Sequence, residues 1–148
     1  MPFILFALLA LPVFAAEPLV FVSAFVSGEK AGIHAFRFDT DKGTLKPLKR
    51  TTGVNSPFFM ALSPDRRFLY SIDEFGGKDN FVAAFAVEGR AGDLRPLNRQ
   101  NTGGTASCFI DVDPSGQSVL VANYSSGNVA SLPVKNDGSL GEAVSFFQ

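Results

Sequence analysis

The chain is short of the residues from which most catalytic and metal sites are assembled. It has one cysteine, Cys108, one histidine, His34, and no tryptophan among its 148 residues. A single thiol excludes an intrachain disulfide and any multi-cysteine metal site, and it leaves the redox compartment open. An excess of one charge is also missing. Thirteen Lys and Arg stand against 14 Asp and Glu, a formal net charge of −1, so nothing favours nucleic acid or another polyanion as partner. Lys46, Lys49 and Arg50 form the one basic cluster of note, and it reads as the solvated edge of an outer strand. No apolar run is long enough to span a bilayer. The longest, Pro2 to Ala16, has 15 residues, against the ~20 a spanning helix requires. With the small-residue spacing of Val13-Phe14-Ala15 it reads as a secretory leader, residues 1–15, although no Lys or Arg precedes the apolar run. Residues 16–148 are then the mature chain, expected to be periplasmic or secreted, with no stable membrane insertion once the leader is cleaved.

Helical periodicity is absent as well: beyond Leu19 no window keeps an i, i+3, i+4, i+7 apolar stripe over three turns. What is present instead is repetition. Ile33-His-Ala-Phe-Arg-Phe-Asp, followed by Gly43-Thr-Leu-Lys-Pro-Leu48, matches Val82-Ala-Ala-Phe-Ala-Val-Glu and Gly92-Asp-Leu-Arg-Pro-Leu97. A weaker third copy starts at Val129 and runs to Val144. Between the copies a second phrase recurs, PFFMALSPDRRFLYSIDE ending at Glu74 and SCFIDVDPSGQSVLVANY ending at Tyr124, offset by 50 positions without a gap. A period of about 50 residues built from short strands is the mark of a β-propeller with one four-stranded blade per period. Sixteen Phe and many Val supply the aromatic and β-branched content that half-buried pleats favour. The expected architecture is therefore all-β, about two and a half to three four-stranded blades, an incomplete N-terminal portion of a larger ring.

The spacing places strands at Leu19–Phe25, Gly32–Phe38 and Leu45–Thr51 in blade one. Blade two takes Phe58–Leu62, Phe68–Ile72, Phe81–Val87 and Leu94–Asn98. Blade three takes Phe109–Val112, Val119–Asn123, Asn128–Val134 and a partial last strand. Pro64 and Pro114 preset the tight turns after the innermost strands, and Gly116 supplies the positive φ at the end of one of them. Arg66 holds the same place in the other, where it must accept a left-handed conformation or shift the turn type.

Catalytic patterns mostly fail. Ser27-Gly-Glu-Lys30 fits Ser-x-x-Lys but lies in a hairpin and not at a helix start. There is no G-x-S-x-G, no His-Glu-x-x-His and no phosphate-cradling glycine loop. His34, the only candidate base of its type, falls on a strand far from a central channel. Asp111 and Asp113 share a strand face, yet the turn at Pro114 accounts for Asp113 more simply than a cation does. Asn123-Tyr-Ser125 is a glycosylation sequon of low specificity. No metal or cofactor is expected. In a propeller the residues that open each innermost strand, and those that close the next one, converge at one rim. This places Asn55, Ser56, Ser107 and Cys108 with Asp73, Glu74, Asn123 and Tyr124. For the Asn and Asp residues a plain turn role stands beside the binding one.

The phrases GIHAFRFDTDKGTLKPL, SPFFMALSPDRRFLYSIDE and DPSGQSVLVANYSSGNVASLPVKNDGSLG resemble the seven-bladed β-propeller lactonase family, the 6-phosphogluconolactonase-like and carboxy-muconate cyclase-like proteins. The resemblance runs from Leu19 to Gln148. It implies a ring of seven blades and a metal-free hydrolase that opens a cyclic ester, with a small sugar-acid lactone as partner. Within that reading the rim positions Glu74, Asn123, Tyr124, Ser56 and Cys108 are expected to bind the substrate, and the catalytic residues are unassigned. Members of the family commonly carry a histidine directly after the position of Cys108, where this chain has Phe109. The alternative function is a non-catalytic exported propeller that uses its face for binding.

Overall fold

The computed structural model describes residues 17–26, 28–74 and 79–148. The leader expected over residues 1–15 and Ser27 of the Ser-x-x-Lys pattern lie outside them. Three antiparallel sheets follow one another along the chain. The first contains β1 (Leu19–Ala24), β2 (Gly32–Asp39) and β3 (Thr44–Thr51), with one turn of 3-10 helix, Gly28–Lys30, between β1 and β2. The second contains β4 (Met60–Leu62), β5 (Phe68–Glu74), β6 (Asn80–Glu88) and β7 (Asp93–Asn101). The third contains β8 (Ser107–Val112), β9 (Ser118–Asn123), β10 (Asn128–Pro133) and β11 (Ser145–Phe147). Each sheet is a simple meander in chain order, as the repeated phrases require.

The second sheet is covered on both faces, and its sequence says why. Along β5 the side chains alternate. Leu69 joins Ile33, Ala83, Phe85 and Leu94 in a core against the first sheet, whereas Tyr70 and Ile72 join Val82, Val119, Val121 and Leu132 in a core against the third. A strand buried on both sides loses the polar alternation of a half-exposed one. Accordingly β6 reads Asn-Phe-Val-Ala-Ala-Phe-Ala-Val-Glu, with five consecutive buried residues. Burial of each large aliphatic in these cores stabilises the fold by about 1.5–3 kcal/mol relative to exposure.

The repeat extends to the irregularities. The β2–β3 ladder slips one residue between Ala35 and Phe36 and the β6–β7 ladder between Ala84 and Phe85, so that Leu48 and Leu97 are the extra residues of matching bulges. Both follow a proline, Pro47 or Pro96, which has no N–H for the ladder and is tolerated in a sheet at such an interruption or on an edge strand. A second pair of bulges opens the innermost strands. Ser107 pairs with Asn123 and Phe109 with Ala122, which leaves Cys108 extra. In the second sheet Phe58 donates its N–H to the Ile72 carbonyl while Ile72 donates to Phe59, leaving Phe58 extra in the same way. This shortens β4: the regular ladder begins at Met60 and not at the expected Phe58, since Pro57 cannot donate and Phe58 is bulged. Among the described residues, the left-handed non-glycine positions are Ser56, Arg66 and Ala106, with φ of 47°, 59° and 51°. Ser56 and Ala106 are repeat equivalents, and Arg66 matches Gly116 at 74°. Arg66 therefore keeps the turn and accepts the left-handed backbone.

Candidate functional site

The bulges and left-handed residues determine what is presented at one end of the strands. Ala106, turned to positive φ, accepts the Tyr124 N–H at 2.9 Å, and Thr105 accepts that of Ser125 at 3.2 Å. These bonds tie the start of β8 to the end of β9. The extra residue then re-aims Cys108 and Phe109 relative to the strand. A hollow of about 150 Å3 results, lined by Phe25, Phe58, Ala106, Ser107, Cys108 and Tyr124. Beside it an open groove of about 480 Å3 continues along Phe21, Ser23, Phe58, Phe59 and Met60. Phe25 and Phe58 meet with ring centroids 4.6 Å apart, and Phe59 and Phe109 at 6.1 Å. The walls are aromatic, Ile72 and Ala106 add to the apolar lining, and Ser107 links the hollow to polar groups beneath it.

Those groups form a buried hydrogen-bond network joining the second and third sheets. Asn80 Oδ1 accepts the Ser107 N–H at 2.6 Å, and Ser107 Oγ donates to Asn123 Oδ1 at 2.6 Å. Asn123 Nδ2 donates to the Thr102 carbonyl at 3.2 Å, and the Thr102 hydroxyl lies 3.2 Å from both Ser107 Oγ and the Asn80 carbonyl. Asn128 Nδ2 reaches the Gly103 carbonyl at 3.1 Å. Gly104 is required because a Cβ there would lie 2.4 Å from Asn123 Nδ2 and 2.5 Å from Asn128 Oδ1. Buried amides and hydroxyls satisfied in this way fix one geometry, and loss of any member leaves another unpaired.

The expected site residues separate into three groups. Cys108, half-buried, and Tyr124, 80% exposed, line the same hollow. Asn123 is fully buried in the network beneath it. Ser56 donates its backbone N–H to the Val26 carbonyl at 3.2 Å and holds the chain where it enters the second sheet. Glu74 closes β5 opposite Asn80. Two further positions of the expected rim behave differently. Asp73 is buried, and its Oδ1 accepts the Asn55 N–H at 2.7 Å. Arg99 Nε stands 2.8 Å from Oδ2 as a charge contact that is not aligned as a hydrogen bond. Burial pushes the Asp73 carboxyl above the ordinary carboxylate range, against the pull of the Asn55 N–H and the Arg99 charge. Phe109 is more than half exposed, so it is not packed as core among the described residues.

The residues set aside on sequence grounds fall elsewhere. His34 stacks on Phe36, centroids 6.3 Å apart, on the face of the first sheet away from the second. Asp113 accepts the N–H groups of Ser115 and Ser118 and the Ser115 hydroxyl, as a turn residue does. What sequence reasoning missed is Phe25 and Phe58 as walls and Thr102, Asn80 and Asn128 as members of the network beneath. The repeated SPFF and SCFI phrases carried a signal for the walls only.

Residues 19–148 match the family model described as "Lactonase, 7-bladed beta-propeller". A 6-phosphogluconolactonase of Bacillus subtilis (strain 168) is 37% identical over 125 residues, 84% of this chain and 36% of that protein. A crystal structure from Bacteroides fragilis, provisionally assigned as a 6-phosphogluconolactonase, superposes with a TM-score of 0.84 at 32% identity, over 94% of this chain and 38% of the other. The periplasmic gluconolactonase of Pseudomonas aeruginosa gives a TM-score of 0.79 at 27% identity, over 90% and 39%. The chain thus spans rather more than a third of the length of the relatives it matches.

Proposed function

This chain belongs to the seven-bladed β-propeller lactonase family, and from that premise we propose that it supplies three consecutive blades of a protein that hydrolyses a sugar-acid lactone. In that reaction water adds to the ester carbonyl and the bond from the carbonyl carbon to the ring oxygen breaks. Hydroxyl remains on the carbon and a proton goes to the ring oxygen, giving the open hydroxy acid. The observation that carries the reading is the rim hollow, polar below and aromatic at the sides, in a chain whose named relatives are lactonases.

The residues divide the work by position. Phe25 and Phe58 offer an apolar wall to the C–H face of a sugar ring, as sugar-sized sites commonly do. The exposed Tyr124 phenol donates to a substrate oxygen, and Ser56, Glu74 and Cys108 contact its polar edge. Asn123 acts as a positioning residue, since its amide holds Ser107 and through it the bulge that aims Cys108. No histidine stands after Cys108, so proton transfer falls to a group from another blade. Three sheets with Leu120 and Val129 exposed on the outer face of the third suit a ring in which a fourth blade covers them. Their repeat equivalents, Tyr70 and Val82, are fully buried by the third sheet itself.

We also place the protein outside the cytoplasm. The apolar Pro2–Ala16 run and the likeness to a periplasmic gluconolactonase support this, and among the described residues no helix is long and apolar enough to cross a membrane. The test of function is acid release from glucono-δ-lactone and from its 6-phosphate by the full-length protein. Turnover above the spontaneous rate is expected, with kcat/KM reduced about tenfold by Tyr124→Phe through loss of one hydrogen bond. Phe109→His is expected to raise the rate, because proton-transfer help is typically worth about 10²- to 10⁴-fold. No turnover on either lactone would move the reading to a binding scaffold.

A further inference from the structure

At the other end of the strands the same repeat geometry makes a second hollow, and its chemistry differs from that of its counterpart. Between the first and second sheets a cavity of about 410 Å3 is lined by Glu17, Leu19, Leu62 and three arginines, Arg37, Arg66 and Arg90. The corresponding hollow between the second and third sheets, about 290 Å3, is lined by Ser63, Pro64, Ser115, Gly116, Gln117 and Asn136 together with Asp65, Arg67 and Lys135, and there Asp65 pairs with Arg67. All three arginines depart from the repeat. Arg37 stands where the second sheet has Ala86, both being one residue past the bulge. Arg66 stands where the third has Gly116 in an otherwise matching turn. Arg90 is the second residue of the loop joining β6 and β7, where the first sheet has Asp41 between β2 and β3.

We propose that this hollow is an anion site for a phosphate group, formed by the guanidinium groups of Arg37, Arg66 and Arg90 at the opposite end of β1 from the lactone-binding hollow. Two of the three arginines are already held. Arg37 Nη2 donates to the Arg90 carbonyl at 2.9 Å, and Arg90 Nη2 donates to the Glu17 carbonyl at 3.3 Å. The Glu17 carboxylate offsets one positive charge, 3.9 Å from Arg37 and 4.0 Å from Lys46, which leaves the hollow cationic by about the charge of a phosphate dianion. The Arg66 N–H closes its turn on the Ser63 carbonyl, but its guanidinium has no hydrogen-bond or ion-pair partner among the described residues and is carried on a left-handed backbone where glycine is the easier residue. A planar guanidinium fork matches phosphate oxygens, so three arginines lining one hollow recognise a dianion better than a carboxylate. Leu19 marks this end of β1 and Ala24 the rim end. The five rises between them, at about 3.3 Å each, set the two ends roughly 16 Å apart, with Phe21 lying between the arginine hollow and the rim groove.

The experiment is calorimetric titration of the full-length protein at low ionic strength with inorganic phosphate, with glucose 6-phosphate and with glucose. One saturable site for a phosphate compound is expected, and no heat from glucose. Arg66→Gly installs the residue found at position 116 and suits the backbone, and Arg90→Asp installs the residue found at position 41. Each is expected to weaken phosphate binding about tenfold or more. Tighter binding of glucose 6-phosphate than of inorganic phosphate assigns the occupant to a phosphorylated sugar, and the reverse order assigns it to free phosphate. Absence of saturation by both, or affinity unchanged in both variants, overturns the proposal. Lactone hydrolysis is expected to persist in both variants, so failure here and failure of the lactonase reading are separate results.

Discussion

Asp73 and Asn123 hold the same place in successive repeats, at the end of the second strand of a blade and facing the preceding sheet. Their chemistry differs. Asn123 meets Ser107 and Thr102 as a neutral amide with each polar atom bonded. Asp73 is a buried carboxylate whose folded-state pKa is raised, by burial first. A group whose pKa is higher folded than unfolded adds stability below its unfolded value and loses that addition as pH rises through the folded value. Asp73→Asn is therefore expected to be at least as stable as the parent at pH 7. Its relative advantage should vanish as pH falls through the carboxylate range, as urea unfolding at pH 4 and pH 7 would register. A variant less stable at pH 7 than at pH 4, relative to the parent, would mean that the Arg99 contact outweighs burial. Tyr70 makes the opposite case of a buried polar group well used. Its hydroxyl donates to the Gly138 carbonyl at 3.1 Å, and burial, with the charges of Asp65 and Asp137, pushes its pKa up to about 12. Tyr70→Phe leaves that carbonyl unpaired, and a loss of about 1 kcal/mol is expected in the same unfolding assay.

Between strands, the glycines that close the turn before each outer strand show how the sheets are spaced. Gly43, Gly92 and Gly138 are equivalent and all left-handed, at φ of 67°, 83° and 84°. A Cβ on Gly43 would meet nothing within 4 Å, whereas on Gly92 it would lie 2.3 Å from Ala35 Cβ and on Gly138 2.1 Å from Phe68 Cδ1. Gly43→Ala is thus expected to cost about 1–2 kcal/mol for the backbone alone. Gly92→Ala and Gly138→Ala should add about 1–3 kcal/mol of overpacking between sheets. Equal losses at all three would contradict the sheet spacing described here. The order of the strands and the turns at Pro64 and Pro114 were legible from the repeated phrases, because a turn is specified by its own few residues. For Arg66 the phrases left a left-handed backbone and a shifted turn both open, and the structure has the first. The bulges at Phe58 and Cys108 were not. They arise where a proline or a side-chain acceptor, Asn80 for the Ser107 N–H, diverts a backbone donor from the ladder, and that acceptor is 27 positions away. For the same reason the spacing put Asn123 near the rim but could not show that its amide is taken up by Ser107 and Thr102 beneath it, whereas Cys108 and Tyr124 did converge on one hollow.

At the scale of the whole molecule, three sheets stacked by their faces leave an aromatic-walled hollow at one end of the strands and, between the first and second sheets, an arginine-lined hollow at the other. Family membership supplies the ring, and the rim hollow supplies the place where a lactone is proposed to bind. Cys108 makes that claim directly measurable, since it is the one thiol of this chain and it lines the hollow. The measurement is the rate at which Cys108 is alkylated in the full-length protein, read by mass spectrometry of its peptide, over a titration with gluconate, the product of glucono-δ-lactone hydrolysis. Alkylation is predicted to slow as gluconate rises, with the same half-saturation at which gluconate inhibits hydrolysis. Inhibition of hydrolysis with the Cys108 alkylation rate unchanged would contradict a lactone site at this rim.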